Sequence, residues 1–251
     1  MARGDVKVLV VAPHPDDEAL GAGIWLNRHR EDSLHIVHVT DGSPRDLAEA
    51  RASGLTSRRA YARLRRHEFL ASLPLLGVPR SHCHCLSLVD METYLNLPSV
   101  VEKLSALLAE LQPDLVLAPA YEGGHPDHDS AALAVTVIRH RGASFQHLEF
   151  PLYHAGNDGR MVTQSFLQVA GAGPEQVLTL SAREKRRKKQ ILACHVSQTR
   201  MLSNFNFNSE HFRLALEHDF TKPPHPGLLL YEQWGWGISG KQWRERAAAV
   251  L

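Results

Sequence analysis

His14-Pro15-Asp16-Asp17-Glu18 and His125-Pro126-Asp127-His128 each pack imidazole and carboxylate groups into a few consecutive residues. His14 and Asp17 stand three residues apart across a turn containing Pro15, a spacing that lets both side chains reach one cation. A third donor from the second motif completes a set of the His₂-carboxylate kind. Such a set leaves one position open for water, as catalytic rather than structural zinc sites do. Zinc lowers the pKa of that water from ~15.7 to about 7, which supplies hydroxide at neutral pH. Asp16 is then free to take the water's proton, and one histidine of the second motif to donate a proton or stabilise an oxyanion. A nucleotide-binding fold would carry glycines where Asp16, Asp17 and Glu18 stand, and these carboxylates repel phosphate unless a cation intervenes. Either motif alone could be a turn with a helix cap. Two of them at strand ends point to a metal-dependent hydrolase. A non-enzymatic sugar- or nucleotide-binding protein would need both motifs to be merely structural, and a structural zinc site is normally closed by four ligands.

These residues must be held by an apolar scaffold. The run over 6–12 precedes the first motif and the run over 115–119 precedes the second, and both read as buried strands. Further strands are expected over 34–40, 83–88, 148–153 and 163–169. Helices are expected over 17–30, 57–76, 98–111, 129–140 and 181–193. The alternation predicts an α/β chain: a Rossmann-like, doubly wound, mostly parallel sheet with helices on both faces. Ligands in such sheets bind at the carboxyl ends of strands, where both motifs fall. One domain over 1–251 is expected, with a core over about 5–198 and an irregular C-terminal extension over about 199–251 that completes the cleft.

Composition narrows the field. Sixteen histidines favour metal or acid–base chemistry. A formal net charge of +1 argues against a nucleic-acid partner. Three cysteines are too few, and odd in number, for a disulfide framework, which fits a reducing compartment. No apolar run approaches the ~20 residues that span a bilayer. The N-terminal apolar stretch carries Asp5 and lacks a small-residue cleavage site, so it reads as a strand rather than a signal peptide. A cytoplasmic protein is expected, with a possible homo-oligomer left open.

Ala12-Pro13-His14-Pro15-Asp16-Asp17-Glu18 resembles the Ala-His-Pro-Asp-Asp-Glu loop of the PIG-L/LmbE-like family of zinc-dependent N-acetylglucosaminyl deacetylases, with Pro13 between Ala and His. Thr40-Asp41-Gly42, Arg65 and Glu68 before Leu76-Gly77, Asp90, His125-Pro126-Asp127-His128, Lys188 and His195-Val196-Ser197-Gln198 follow in the family's order over roughly 6–198. The resemblance implies that His14, Asp17 and His128 ligate zinc, or another divalent metal such as Fe²⁺ or Co²⁺. It implies Asp16 as general base, His125 as oxyanion stabiliser and proton donor, and Asp127 as the group that orients a nearby histidine. Arg65 and Asp90 would contact the substrate. The implied substrate is a small amino-sugar conjugate carrying an N-acetyl group. An amidase acting on a larger acyl group or a thiol conjugate is the alternative.

Other features carry less. In a strand, Cys83 and Cys85 face away from His82 and His84, so the four cannot share an ion. Arg183, Lys185, Arg186, Arg187, Lys188 and Lys189 read as a solvated helix face. Trp234 and Trp236 could stack on a sugar, but burial fits equally well.

Overall fold

The computed structural model describes residues 6–169 and 171–251; Asp5 lies outside the described residues. The chain runs β1 (Lys7–Ala12), α1 (Asp17–Arg28), β2 (Ser33–Thr40), α2 (Ala48–Ala52), α3 (Arg58–Leu76) and β3 (Cys83–Leu88). It continues α4 (Leu97–Leu111), β4 (Leu115–Pro119), α5 (Pro126–His140), β5 (Gln146–Phe150), β6 (Tyr153–Ala155), β7 (Met161–Thr163) and β8 (Gln176–Thr179). It ends α6 (Ala182–Ala193), α7 (Thr199–Leu202), β9 (Ser209–Leu214), α8 (Leu230–Gln233) and α9 (Gly240–Ala247).

A seven-stranded sheet has the order β3-β2-β1-β4-β5-β9-β8. The first five strands are parallel, with Val10 opposite Ile36 on one side and Leu117 on the other. Alternate residues of these strands point to opposite faces. Val8, Val10, Ile36 and Leu117 pack with Ile24, Phe69 and Ile191 of α1, α3 and α6. Leu9, Val11, Val37 and Val116 pack with Leu104, Leu133 and Trp243 of α4, α5 and α9. Burial on both faces is why these strands read as continuous apolar runs. The chain leaves β1 toward β2 on one side and β4 toward β5 on the other. The crevice between the carboxyl ends of β1 and β4 is therefore the switch point of the doubly wound sheet.

The structure departs from expectation in several places: the strand expected over 148–153 divides into β5, ending at Phe150, and β6, starting at Tyr153 in a separate ribbon, and four further differences follow. First, α5 begins at Pro126 rather than at 129, with His125 as its cap and the second motif in its first turn. Proline at the first helical position loses no hydrogen bond and presets φ, so the motif is a helix start rather than a loop. Second, the strand expected over 163–169 is not formed: only Thr163 of it lies in a strand, at the end of β7, which pairs with β6 in a separate ribbon, and Gln164 then turns into the left-handed region at φ 53°. Third, β9 and β8 extend the sheet antiparallel beyond β5.

Fourth, Lys188 does not belong to a solvated face: it is 0% exposed and ion-paired with Glu210 at 2.5 Å. The pair mends a break in α1, where Ala22 leaves helical geometry. Lys188 Nζ donates to the Leu20 carbonyl at 2.7 Å, while Glu210 accepts from the Ile24 and Trp25 N–H groups at 2.7 Å each. Every backbone group freed by the kink so named thus finds a charged partner, as buried backbone polar groups must. Among the described residues, no helix is long and apolar enough to cross a membrane.

Candidate metal centre and cleft

β1 delivers His14 two residues beyond Ala12, and the turn that follows is closed by its own backbone and by the Asp17 side chain. The Asp16 N–H donates to the His14 carbonyl at 3.0 Å, and the His14 N–H donates to Asp17 Oδ2 at 2.9 Å. α5 supplies the second motif. His125 Nδ1 accepts from the Asp127 N–H at 3.1 Å, so the proton of its neutral ring sits on Nε2. Asp129 holds the approach to this helix by accepting from the Gly123 and Glu122 N–H groups at 3.0 and 3.3 Å. Gly124 is required here, because a Cβ would lie 1.9 Å from the Tyr153 carbonyl oxygen.

The two motifs meet. Ring centroids are 4.5 Å apart for His14 and His125, 5.0 Å for His125 and His128, and 5.3 Å for His14 and His128. Asp17 Oδ2 lies 3.0 Å from His14 Nδ1 and 3.4 Å from His128 Nε2. Donor atoms also cluster within 4.8 Å in two overlapping sets: His14, His125 and His128, and His14, Asp90, His125 and Asp127. Asp17 belongs to neither set, yet it alone touches both His14 and His128 through one oxygen. Asp127 is wholly buried and accepts from the Met91 N–H (2.7 Å), the Thr93 N–H (3.2 Å) and Thr93 Oγ1 (2.5 Å). Its Oδ2 stands 3.2 Å from His14 Nε2.

Arg65 reaches the cleft from α3 but is engaged by the protein. It donates to Asp16 Oδ1 at 3.1 Å, to the Pro15 carbonyl at 3.2 Å and to the Gly42 carbonyl at 3.0 Å. Asp90 Oδ1 lies 3.1 Å from His14 Nε2 and 3.9 Å from His125 Nε2, out of line for a hydrogen bond and without a partner among the described residues.

The electrostatics follow from burial and crowding. Desolvation pushes the Asp16 carboxyl up to about 7 against the pull of Arg65. Burial would also raise Asp17, but His128 and His14 hold it well below the usual carboxylate range. Burial of His14 opposes charging, yet Asp90 and Asp17 lift it well above an ordinary histidine. Burial drives His125 well below its ordinary value, His14 and His128 push the same way, and Asp90 and Asp17 oppose the shift without overcoming it. Four buried carboxylates thus face one arginine, and one of them has an orphaned oxygen. That imbalance, with imidazole nitrogens converging on it, fits a divalent cation. Imidazole and carboxylate suit zinc, iron or cobalt alike.

Residues 9–138 match the family described as PIG-L: GlcNAc-PI de-N-acetylase. The chain belongs to this family. It is 33% identical over 146 residues to a diacetylchitobiose deacetylase of Thermococcus kodakarensis, covering 54% of this chain and 50% of that protein. It is 30% identical over 154 residues to a 1D-myo-inositol 2-acetamido-2-deoxy-alpha-D-glucopyranoside deacetylase of Thermobifida fusca, covering 51% of this chain and 52% of the relative. The chain spans about half the length of the curated relatives it matches. A crystal structure of a deacetylase from teicoplanin biosynthesis shares the fold, with a TM-score of 0.68 at 17% identity, over 84% of this chain and 98% of that one.

Two of the remaining resemblances, Glu68 and His195-Val196-Ser197-Gln198, form one strap. Glu68 accepts from the Ser197 N–H at 2.8 Å and from Ser197 Oγ at 2.7 Å, and Gln198 Nε2 donates to the Tyr61 hydroxyl at 2.7 Å. The segment from His195 to Gln198 is thereby tied to the helix that carries Arg65.

The cleft above the donors measures about 260 Å³. Its floor is polar, and one wall is apolar, formed by Tyr153, Met201, Leu202, Phe205 and Trp236. Tyr153 stands edge-on to His128 at 5.1 Å and Trp236 edge-on to His125 at 4.9 Å. The motifs gave no sign of Tyr153 or Phe205. Trp243, by contrast, is buried and donates from Nε1 to the Pro126 carbonyl at 3.1 Å, so it anchors the start of α5.

Proposed function

We propose that the chain is a metal-dependent hydrolase that removes the acetyl group from an N-acetylated amino sugar, of the N-acetylglucosamine type, within a larger conjugate. The observation that carries this reading is the Asp16 carboxyl, held by Arg65, beside the His14, Asp17 and His128 contacts on the floor of a cleft. The names of the two relatives support the acetamido-sugar class. We read the chain as one working unit, since Lys188 and Glu210 mend the helix that opens with Asp17.

His14, Asp17 and His128 are the residues to hold the ion, which we take to be zinc. When bound, the ion acidifies water and polarises the acetyl oxygen. Asp16, steadied by Arg65, takes the proton of the attacking water. The water oxygen bonds to the acetyl carbon, and His125 donates its Nε2–H to the oxyanion. Asp16 returns the proton to the departing nitrogen as the C–N bond breaks, leaving acetate and a free amine. Asp127 fixes the ring of His14 through Nε2, as outer carboxylates do for metal-ligating histidines. Asp90, open to the cleft, is the group for a sugar hydroxyl, and Arg65 contributes mainly through Asp16.

The test measures metal per chain and acetate released from N-acetylglucosamine conjugates. Near-stoichiometric zinc with acetate release, both lost in His14→Ala/His128→Ala, is expected. A wild type that binds no divalent metal even after resupply overturns the mechanism. A second reading, cleavage of a longer acyl amide, is favoured by the apolar wall of Met201, Leu202 and Phe205. It predicts faster release of longer chains than of acetate.

A further inference from the structure

Of the four tryptophans only Trp234 is exposed, at 40%. A lone apolar side chain on a surface calls for no account, but this one is continuous with the cleft. Its ring lies 5.0 Å from that of Trp236 and 6.1 Å from that of Tyr153, and both of these line the cleft wall. Trp236 in turn stands 4.9 Å from His125. Rings therefore lead in two steps from the donor cluster to solvent, each step within the ~4.5–7 Å of aromatic contacts.

The backbone fixes this arrangement. α8 closes in a Schellman turn, in which the Trp236 N–H donates to the Tyr231 carbonyl and the Gly235 N–H to the Glu232 carbonyl, at 3.1 Å each. Gly235 takes the left-handed conformation this turn needs, at φ 66°, and Gly237 bends the chain again at φ 78°. A Cβ on either glycine would meet nothing within 4 Å, so conformation rather than crowding calls for glycine. One indole is thereby set on the wall and the other at the lip. α8 itself is anchored by the buried Leu230 and Tyr231. Trp234 thus presents an exposed face from an anchored support, and a side chain held in place loses little freedom on binding.

The size of the cleft gives this lip a use. At about 260 Å³ it falls below the ~300–1,000 Å³ that encloses a drug-sized ligand. It takes one acetamido sugar and leaves the remainder of a conjugate outside. Toward α2 the rim carries the exposed carboxylates of Asp46 and Glu49, whose hydration is costly to remove. Toward α8 the lip is the Trp234 ring. A pyranose has an apolar C–H face and a hydroxyl-bearing edge, so on a half-exposed indole the face leaves water while the edge stays wet. An acyl chain has no such edge and follows the buried wall of Leu202 and Phe205 instead.

We infer that, given an acetamido sugar in the cleft as proposed above, Trp234 is the platform for the next ring of the conjugate, a second pyranose, and so selects glycosides of two or more sugar rings over single-ring ones.

Calorimetry on the metal-loaded Asp16→Asn protein, which binds without turnover, compares the methyl glycoside of N-acetylglucosamine with the same sugar linked to glucose. The two-ring glycoside is expected to bind about tenfold more tightly. Trp234→Ala in the same background is expected to abolish that difference, and Trp234→Phe to keep most of it. Should Trp234→Ala lose its folded melting transition, Trp234→Gln, which keeps bulk without the ring, carries the same expectation. A difference that persists without the ring overturns the inference. So does its loss in Asp46→Ala/Glu49→Ala with Trp234 in place, which puts the second pyranose on the other rim. Equal affinity for the two glycosides, binding of neither, or an equal fall for both in Trp234→Ala overturns it as well. Acetate release by the protein with Asp16 intact judges the hydrolysis separately. Release from neither glycoside, with the binding difference intact, overturns the reaction and supports the platform.

Discussion

His14 lies two residues past β1, and His125 and His128 lie at the cap and in the first turn of α5, which follows β4; β1 and β4 are hydrogen-bonded to each other in the middle of the sheet. Tyr153, Phe205 and Trp236 reach the same cleft from a two-stranded ribbon and from the turns that leave α7 and α8. The floor inherits its placement from the pairing of these two central strands, since a slip of β1 against β4 would shift the two motifs relative to each other. The wall is carried by short segments pinned at a few points. On the proposed reading, reaction chemistry is therefore tied to the fold, whereas the shape presented to a substrate can vary with little cost to the sheet.

Asp16→Asn gives the sharpest separation within the floor. It is expected to lower kcat by about 10²–10⁴ while metal content stays at the wild-type level. Simultaneous loss of metal would mean that holding the ion and moving the proton are not separate tasks. Lys188→Met tests how firmly the outer half is fastened to the floor. It leaves Glu210 buried without its partner and reopens the break in α1, so urea unfolding should show a loss of roughly 3–5 kcal/mol. A change below ~1 kcal/mol would mean that the outer half merely leans on α1.

The strap between floor and wall supplies a pH test. His195 is buried, and desolvation lowers its pKa to about 4. The unfolded chain takes up a proton below its ordinary value near 6.5, which the folded chain refuses until about 4. Stability contributed by the neutral ring is thus complete above pH 6.5 and declines as pH falls toward 4. Melting curves of wild type and His195→Asn should show a fall between pH 7 and 4 that is smaller in the variant by on the order of 2 kcal/mol. Equal slopes would remove His195 from the strap's account. The smallest effect belongs to the wall: Trp236→Ala is expected to raise KM for a sugar conjugate about tenfold, with kcat within about threefold. A large fall in kcat instead would erase the contrast between floor and wall.

The floor was legible because no packing pattern places histidine and three carboxylates in five consecutive residues. The parallel core was legible for a related reason, since strands buried on both faces write continuous apolar runs. Tyr153 and Phe205 were not legible, because each is at once a core residue and a wall residue. Trp236 and Trp243 show the limit plainly: the same side chain in one tail lines the cleft in one case and anchors α5 in the other. Lys188 was hidden by its charged neighbours, although its position was readable. It precedes the buried Ile191 and Leu192 by three and four residues, on the apolar stripe of α6. β8 is short and mostly exposed, and β9 alternates only in part, so neither offers a clear two-residue period.

The match to the family stops at residue 138, but the hydrogen bonds of α1 are completed only by residues 188 and 210. The end of that match is therefore not a limit of cooperative folding. A fragment cut at that limit would carry all the donor residues on a helix with an open seam. The Ile24 and Trp25 amides, hidden beneath Glu210, are natural reporters of this closure. Their hydrogen exchange should slow only when the distal half is docked, and should quicken together whenever it lets go.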